Sequence, residues 1–254
     1  MVEQVLILSD THFPLLDKKL WKATLNLIED LQPDEIIHIG DLMDYPQPSR
    51  WTRGTREEFE GSVYEDSKAC IKEYIEPLRS VYQGPIKIHE GNHDARTRLY
   101  MEKYAPALAE TDIFNFDKLL KFEDYGIELL PEFYDIAPGW ITTHGHLGGI
   151  RLNQNAGITA LNAAKRMGKS VVMGHTHRAG ITHYTTGYNG LVDTLTGVEV
   201  GHVMNPKAVT YLKGATGNWQ QSLGMLTLDG KHVTPSLIPV SGGKLTLDGK
   251  TYKI

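Results

Sequence analysis

The stretch Ile36-Ile37-His38-Ile39-Gly40-Asp41-Leu42-Met43-Asp44 most constrains the fold, because a short apolar run of strand-forming residues breaks at a glycine and delivers a carboxylate. Uninterrupted apolar runs of this length read as strands buried on both faces, and parallel sheets are built from such strands. In open α/β sheets, ligands collect beyond the carboxyl ends of the strands, where Asp41 falls. Four other runs behave the same way. Val5–Leu8 leads into Asp10-Thr11-His12, Ile86–His89 into Asn92-His93-Asp94, Trp140–Thr143 into His144-Gly145-His146, and Val171–Met173 into Gly174-His175-Thr176-His177.

Between these tips the periodicity alternates. Leu20, Thr24, Leu27, Ile28 and Leu31 recur on one helical face, Asp17 stands at the N-cap position and Pro33 follows, so a helix is expected over residues 17–31. Strand, helix, strand in that order implies a parallel pair with a right-handed crossover. Thr55 with Glu58 has the form of a capping box for a long helix carrying Val63, Ser67, Cys70, Ile71, Tyr74, Ile75 and Leu78, which Pro77 should kink or end. Helices are expected over most of 95–122 and again from Asn153 to Met167, closed by Gly168. From Ile181 the period shifts toward two, with turn signals at Gly187, Asn189-Gly190, Gly214, Asp229-Gly230, Gly242-Gly243 and Asp248-Gly249. The expectation is an α/β (α+β) chain forming a single domain over residues 1–254, with two mixed β-sheets packed as a sandwich and helices flanking them.

Composition narrows the partners. A hydrophobic share of 41% and a charged share of 22% suit a globular chain with a full core, and a net charge of −5 argues against gripping long nucleic acid through counterion release. Cys70 is the single cysteine, so no intrachain disulfide forms, and eleven histidines favour a metal site of nitrogen and oxygen donors. The first residues form a core strand rather than a basic leader, and no apolar run approaches the roughly 18 residues of a membrane span. A cytoplasmic protein without membrane contact is expected; the oligomeric state is not legible.

Any one Asp or His at a strand end is most simply a cap or a loop hydrogen bonder. An Asp-x-His pair in an extended segment, however, points both side chains to one side, and so does His175-x-His177. In order, Asp10-x-His12, Gly40-Asp41-x-x-Asp44, Gly91-Asn92-His93-Asp94, His144 in His-Gly-His, and Gly174-His175-x-His177 resemble the motif set of the calcineurin-like metallophosphoesterases. The resemblance runs from residue 10 to residue 177. It implies a metallophosphatase-like sandwich holding two divalent metal ions, with Mn²⁺ the first expectation and Fe, Zn or Ni the others. Asp10, His12 and His177 would hold one ion, and Asn92, His144 and His175 the other. Asp41 would bridge both, with Asp44 in support.

By the same resemblance His93 would hydrogen-bond the scissile phosphate or protonate the leaving group, and Asp94 would orient its ring. Two cations about 3.5–4 Å apart polarise a phosphoester and lower the pKa of water, permitting in-line hydrolysis. Tyr45-Pro46 after the second Asp and Asp94 after His93 depart from the protein serine/threonine phosphatases of this superfamily. What remains resembles bacterial and bacteriophage phosphodiesterases. Arg50, Arg53 and Arg96, with Trp51 among them, are the candidate substrate-binding rim, since arginine grips phosphate bidentately and an aromatic ring stacks on a base. The expected substrate is therefore a phosphoester, read as a nucleotide or nucleic-acid end, with a phosphomonoester as the alternative and a silent protein-binding scaffold as the reading of another class. His38, His89, His183, His202 and His232 lack motif context and are read as structural or surface residues.

Overall fold

The βαβ unit forms as the apolar periodicity requires: β1 (Val2–Leu8) passes through the Lys18–Leu31 helix into β2 (Glu35–His38), and the two strands pair in parallel with Leu6 opposite Ile36. Asp17 caps the helix, its Oδ1 accepting from Lys19 N at 3.1 Å and Leu20 N at 3.2 Å, and Gln32 ends it in the left-handed conformation. The computed structural model describes residues 2–208 and 216–254. Gly214, one of the turn signals, lies outside the described residues.

Further strands follow in chain order: β3 (Ile86–His89), β4 (Ile127–Leu130), β5 (Tyr134–Ala137), β6 (Trp140–Thr143), β7 (Ser170–Met173), β8 (Ala179–Tyr188), β9 (Leu191–Val200), β10 (Ser222–Asp229), β11 (His232–Pro239), β12 (Lys244–Leu247) and β13 (Lys250–Lys253). One sheet has the order β11-β10-β1-β2-β3-β4, parallel from β1 to β4 and antiparallel beyond β1. The other has the order β5-β6-β7-β9-β8, with β6, β7 and β9 parallel; β12 and β13 form a separate hairpin.

The period of two in β1 divides its side chains between layers. Val5 and Ile7 join Ile37, Ile39, Val172, Val198 and Val200 between the two sheets. Leu6 and Leu8 face the opposite way, toward Leu20, Leu27 and Tyr74 under the helices. Each aliphatic so buried contributes about 1.5–3 kcal/mol by leaving water. On the far side, Ala160, Ala163 and Ala164 of the Ile158–Met167 helix pack on Ile141, Val171 and Met173. The result is the expected sandwich with helices outside.

Some local expectations change. Glu58 turns back to Gly54 N instead of completing a box with Thr55, so only a short helix (Arg56–Phe59) forms there and Ser62 caps the long one. That helix does not stop at Pro77: a π-turn over Ile71–Ile75 precedes the proline, and the chain stays helical to Val81. The helix expected from Asn153 begins at Ile158, after Gly157 in the left-handed conformation. Gly187 is no turn but lies within β8 opposite Val192, whereas Asn189-Gly190 makes the β8–β9 turn with both residues at positive φ. Among the described residues no helix is long and apolar enough to cross a membrane.

Candidate metal centre

The carboxyl ends of β1, β2 and β3 in one sheet and of β6 and β7 in the other converge, so loops distant in sequence are laced together by backbone bonds. Asp10 N donates to Gly40 O at 3.1 Å, and His12 N to Asp41 O at 2.9 Å. His93 N donates to Asp41 Oδ1 at 2.8 Å, and His175 N to Asp10 Oδ2 at 3.0 Å. A side chain at Gly91 has no room, because a Cβ there would lie 2.2 Å from Asp41 Oδ1.

Asp10, His12, Asp41, His175 and His177 all have positive φ, between 48° and 66°. This differs from the extended Asp-x-His geometry expected from spacing; the side chains converge because both members of each pair take the left-handed conformation. Non-glycine residues there cost of order 1 kcal/mol or more each, and such outliers gather where surrounding structure holds them for function.

Among the described residues two donor groups match the expected ligand sets, and a third, of His12, Asp44 and His93, lies alongside them. Asp10, His12 and His177 offer ligand atoms within 4.8 Å of one another, as do Asp41, His144 and His175. In the first, His12 Nε2 and His177 Nε2 face each other at 3.0 Å, and Asp10 Oδ1 is 3.3 Å from His177 Nε2. In the second, His144 Nε2 is 3.2 Å from Asp41 Oδ2 and 3.1 Å from Asn92 Oδ1. Asp41 Oδ2 also lies 3.7 Å from His12 Nε2, so one carboxylate oxygen faces both groups. Asp10 Oδ1 is buried and has no hydrogen-bond partner among the described residues, an acceptor that a cation would satisfy. A set of carboxylates, an amide oxygen and imidazoles suits first-row divalent ions, so the residues present fit the expected pair.

Electrostatics reinforce this. Burial alone would raise the carboxyls of Asp10 and Asp41, but the imidazoles of His12 and His177 around the first, and of His144 and His93 around the second, hold both well below the usual range. Burial would lower His12 and His144; facing carboxylates instead lift them to about 10 and about 9. Without ions, protons on these rings balance the charge. His175 is pushed down to about 4 by burial and by His144, leaving a neutral ring ready to ligate. His144 Nδ1–H donates to Ile39 O at 2.8 Å, which aims Nε2 at Asp41 Oδ2.

His93 stands beside these groups, but its ring partner differs from expectation. Nδ1 bonds Asp44 Oδ1 at 2.7 Å, while both oxygens of Asp94 accept backbone N–H groups, from Met43 and from Gly91, each at 2.8 Å. Asp44 orients the ring and also lies 3.3 Å from His12 Nδ1; Asp94 ties the Asp41 loop to the Asn92 loop. The three arginines of the rim separate as well. Arg96 turns inward, donating to Asp44 O and standing 3.2 Å from His93 Nε2, and Arg53 is engaged by Tyr104 OH at 2.7 Å. Arg50 lies over the exposed Trp51 ring, on a cleft of about 410 Å³ that runs from Asn92 and His93 to Tyr104.

Two supports escaped sequence reasoning. Trp219 meets the His177 ring edge-on at 4.7 Å. Glu199, fully buried in β9, bonds Thr176 between His175 and His177; its signal in the sequence is an acid between Val198 and Val200 in an apolar run. His38, His89 and His202 are buried, and His183 pairs with Thr196, in line with their structural reading.

A family model described as calcineurin-like phosphoesterase matches residues 4–203. The Gene 54 protein of Mycobacterium phage L5 is 51% identical over 255 residues, covering 100% of both chains, and the Gene 54 protein of Mycobacterium phage D29 is 51% identical over the same extent. Among solved structures, Vacuolar Protein Sorting 29 from Cryptosporidium parvum is similar with a TM-score of 0.49 at 16% identity, covering 100% of this chain and 99% of that one. A predicted phosphoesterase from Streptococcus pneumoniae TIGR4 is similar with a TM-score of 0.40 at 14% identity, covering 100% and 99%.

Proposed function

Since this chain belongs to the calcineurin-like phosphoesterase family, we propose that it is a metal-dependent phosphodiesterase acting on a nucleotide or a nucleic-acid end. The observation that carries the reading is Asp41 Oδ2, which faces His12 Nε2 at 3.7 Å and His144 Nε2 at 3.2 Å and so is shared by two donor groups. Asp10, His12 and His177 would hold one ion, Asn92, His144 and His175 the other, with Asp41 between; Mn²⁺ leads among the ions such donors accept. Bound there, two divalent ions supply Lewis-acid activation of the phosphoester and of the attacking water.

The protein's own groups do the rest. His93, held through Nδ1 by Asp44, presents Nε2 beside Arg96 for the departing oxygen, which needs a proton. Arg50 and Trp51 line the cleft next to it and offer a phosphate and a base their partners. The cleft continues past His93 to Tyr104, and room there for a second ester substituent is what supports a diester over a monoester. The single cysteine, buried and unpaired, suits a cytoplasmic setting.

The test compares bis-aryl and mono-aryl phosphate hydrolysis by Mn²⁺-loaded protein, with metal content measured alongside. Faster bis-aryl turnover is expected; exclusive mono-aryl turnover would convert the reading to a phosphomonoesterase, and a protein that neither retains metal nor turns over would leave a scaffold. Asp41→Asn should abolish metal retention and activity together, whereas His93→Ala should keep the metal and lose about 10²–10⁴-fold in kcat. Arg50→Ala should impair a nucleotide diester more than an aryl diester; equal effects would remove Arg50 from substrate recognition.

A further inference from the structure

Glu199 is a fully buried carboxylate outside the donor groups, and no described cation lies within 4 Å of it. It stands at the carboxyl end of β9, in register with Met173 of β7, so its side chain reaches beneath the loop that follows β7. Burying an unpaired carboxylate is costly unless donors replace its water. Three do. Oε1 accepts from Thr159 N at 2.8 Å and Ala160 N at 3.3 Å, in the positive first turn of the Ile158–Met167 helix, and Oε2 accepts from Thr176 Oγ1 at 2.7 Å.

Thr176 sits between His175 and His177, which face different donor groups. Its hydroxyl donates to Glu199 and accepts from Arg178 N at 3.3 Å, while its N–H closes back on Gly174 O at 2.7 Å. Those contacts span the two left-handed histidines, with φ of 66° and 57°. The loop is thus pinned from below at its central residue by a group anchored in a helix.

We propose that Glu199 is a positioning residue for the metal centre: through the Thr176 hydroxyl it holds His175 and His177 in the backbone conformation that aims one imidazole at each ion. This rests on the two-ion reading above. Partners that hold ligands in place are worth about 10–100-fold in metal affinity, so loss of the Glu199–Thr176 bond should weaken binding by that factor.

The experiment titrates metal-free protein with Mn²⁺ or Zn²⁺ calorimetrically, with thermal unfolding of the metal-free forms in parallel. Thr176→Val should weaken binding at least about 10-fold, Thr176→Ser should restore it, and Glu199→Gln should weaken it without adding to Thr176→Val in the double variant. Wild-type affinity in a folded Thr176→Val protein, or independent losses in the double variant, would overturn the proposal while leaving the two-ion reading intact. Should Glu199→Gln fail to fold, the Val and Ser variants at Thr176 still decide it. A wild-type protein that binds neither ion would overturn both.

Discussion

His12 and His144 are protonated where an ion would sit, and that determines how the centre takes up metal. Their values of about 10 and about 9 mean that both rings carry a proton at neutral pH when the centre is empty, and ligation requires them neutral. Binding must therefore expel up to two protons. Affinity should rise with pH until it passes the values of these rings, and calorimetry in buffers of different ionisation enthalpy at neutral pH should count the released protons. Uptake without proton release would contradict the charge arrangement. The neighbouring carboxylates separate by role in the same way. Asp44→Asn should reduce kcat about 10²-fold by losing the hold on His93 Nδ1, and should loosen His12 as well. Asp94→Asn sets an amide against one of two backbone N–H donors and should cost about 1–3 kcal/mol of stability instead, as denaturant unfolding would report.

At the scale of elements, the centre depends on how closely the Ile158–Met167 helix lies on β9. A Cβ at Gly197 would stand 2.1 Å from Leu161 N and 2.5 Å from its Cα, backbone atoms that cannot swing aside. Gly197→Ala should push the helix away at a cost of about 1–3 kcal/mol and withdraw Thr159 and Ala160 from Glu199. Lower thermal stability together with weaker metal binding is the expected result; an unchanged melting temperature would show that the helix can shift freely. This layer was poorly legible in the sequence. The strand ends at Asp10, Asp41, Asn92 and His175 could be read because buried parallel strands are continuous apolar runs and their ligands follow within a few residues. Glu199 could not, since its partners lie 23 to 40 residues away and only β9 pairing brings them together. Asp94 is expected at the His93 ring by its place in the motif, but the loop backbone turns it to Met43 N and Gly91 N and brings Asp44, 49 residues before His93, to Nδ1 instead. Likewise Arg53 reads from the sequence as part of the substrate-binding rim, and only the fold sets Tyr104, 51 residues later, against it.

For the whole molecule, the buried rings predict a stability curve whose two sides answer to different groups. His38, His89 and His202 are each held down to about 3 by burial, so they stay neutral in the folded protein while the unfolded chain protonates them near 6.5. Between those values the unfolded state binds more protons, and stability falls as pH falls. Asp94, raised to about 7 by burial and by Asp41, runs against this and offsets part of one such group, because its contribution is full at low pH and is lost as pH rises through about 7. His12 and His144 act on the alkaline side. Their raised values stabilise the metal-free fold below 6.5, and that contribution is lost as pH climbs through about 9 and about 10. Metal-free protein should therefore be most stable near neutral pH and weaken in both directions. Ions that replace the two protons should abolish the alkaline decline, whereas His38, His89 and His202, which lie outside the ligand set, keep part of the acid decline in place. Urea midpoints across about pH 4 to 9, with and without Mn²⁺, would show this as a one-sided extension of the stable range; equal protection on both sides, or a flat metal-free profile, would refute it.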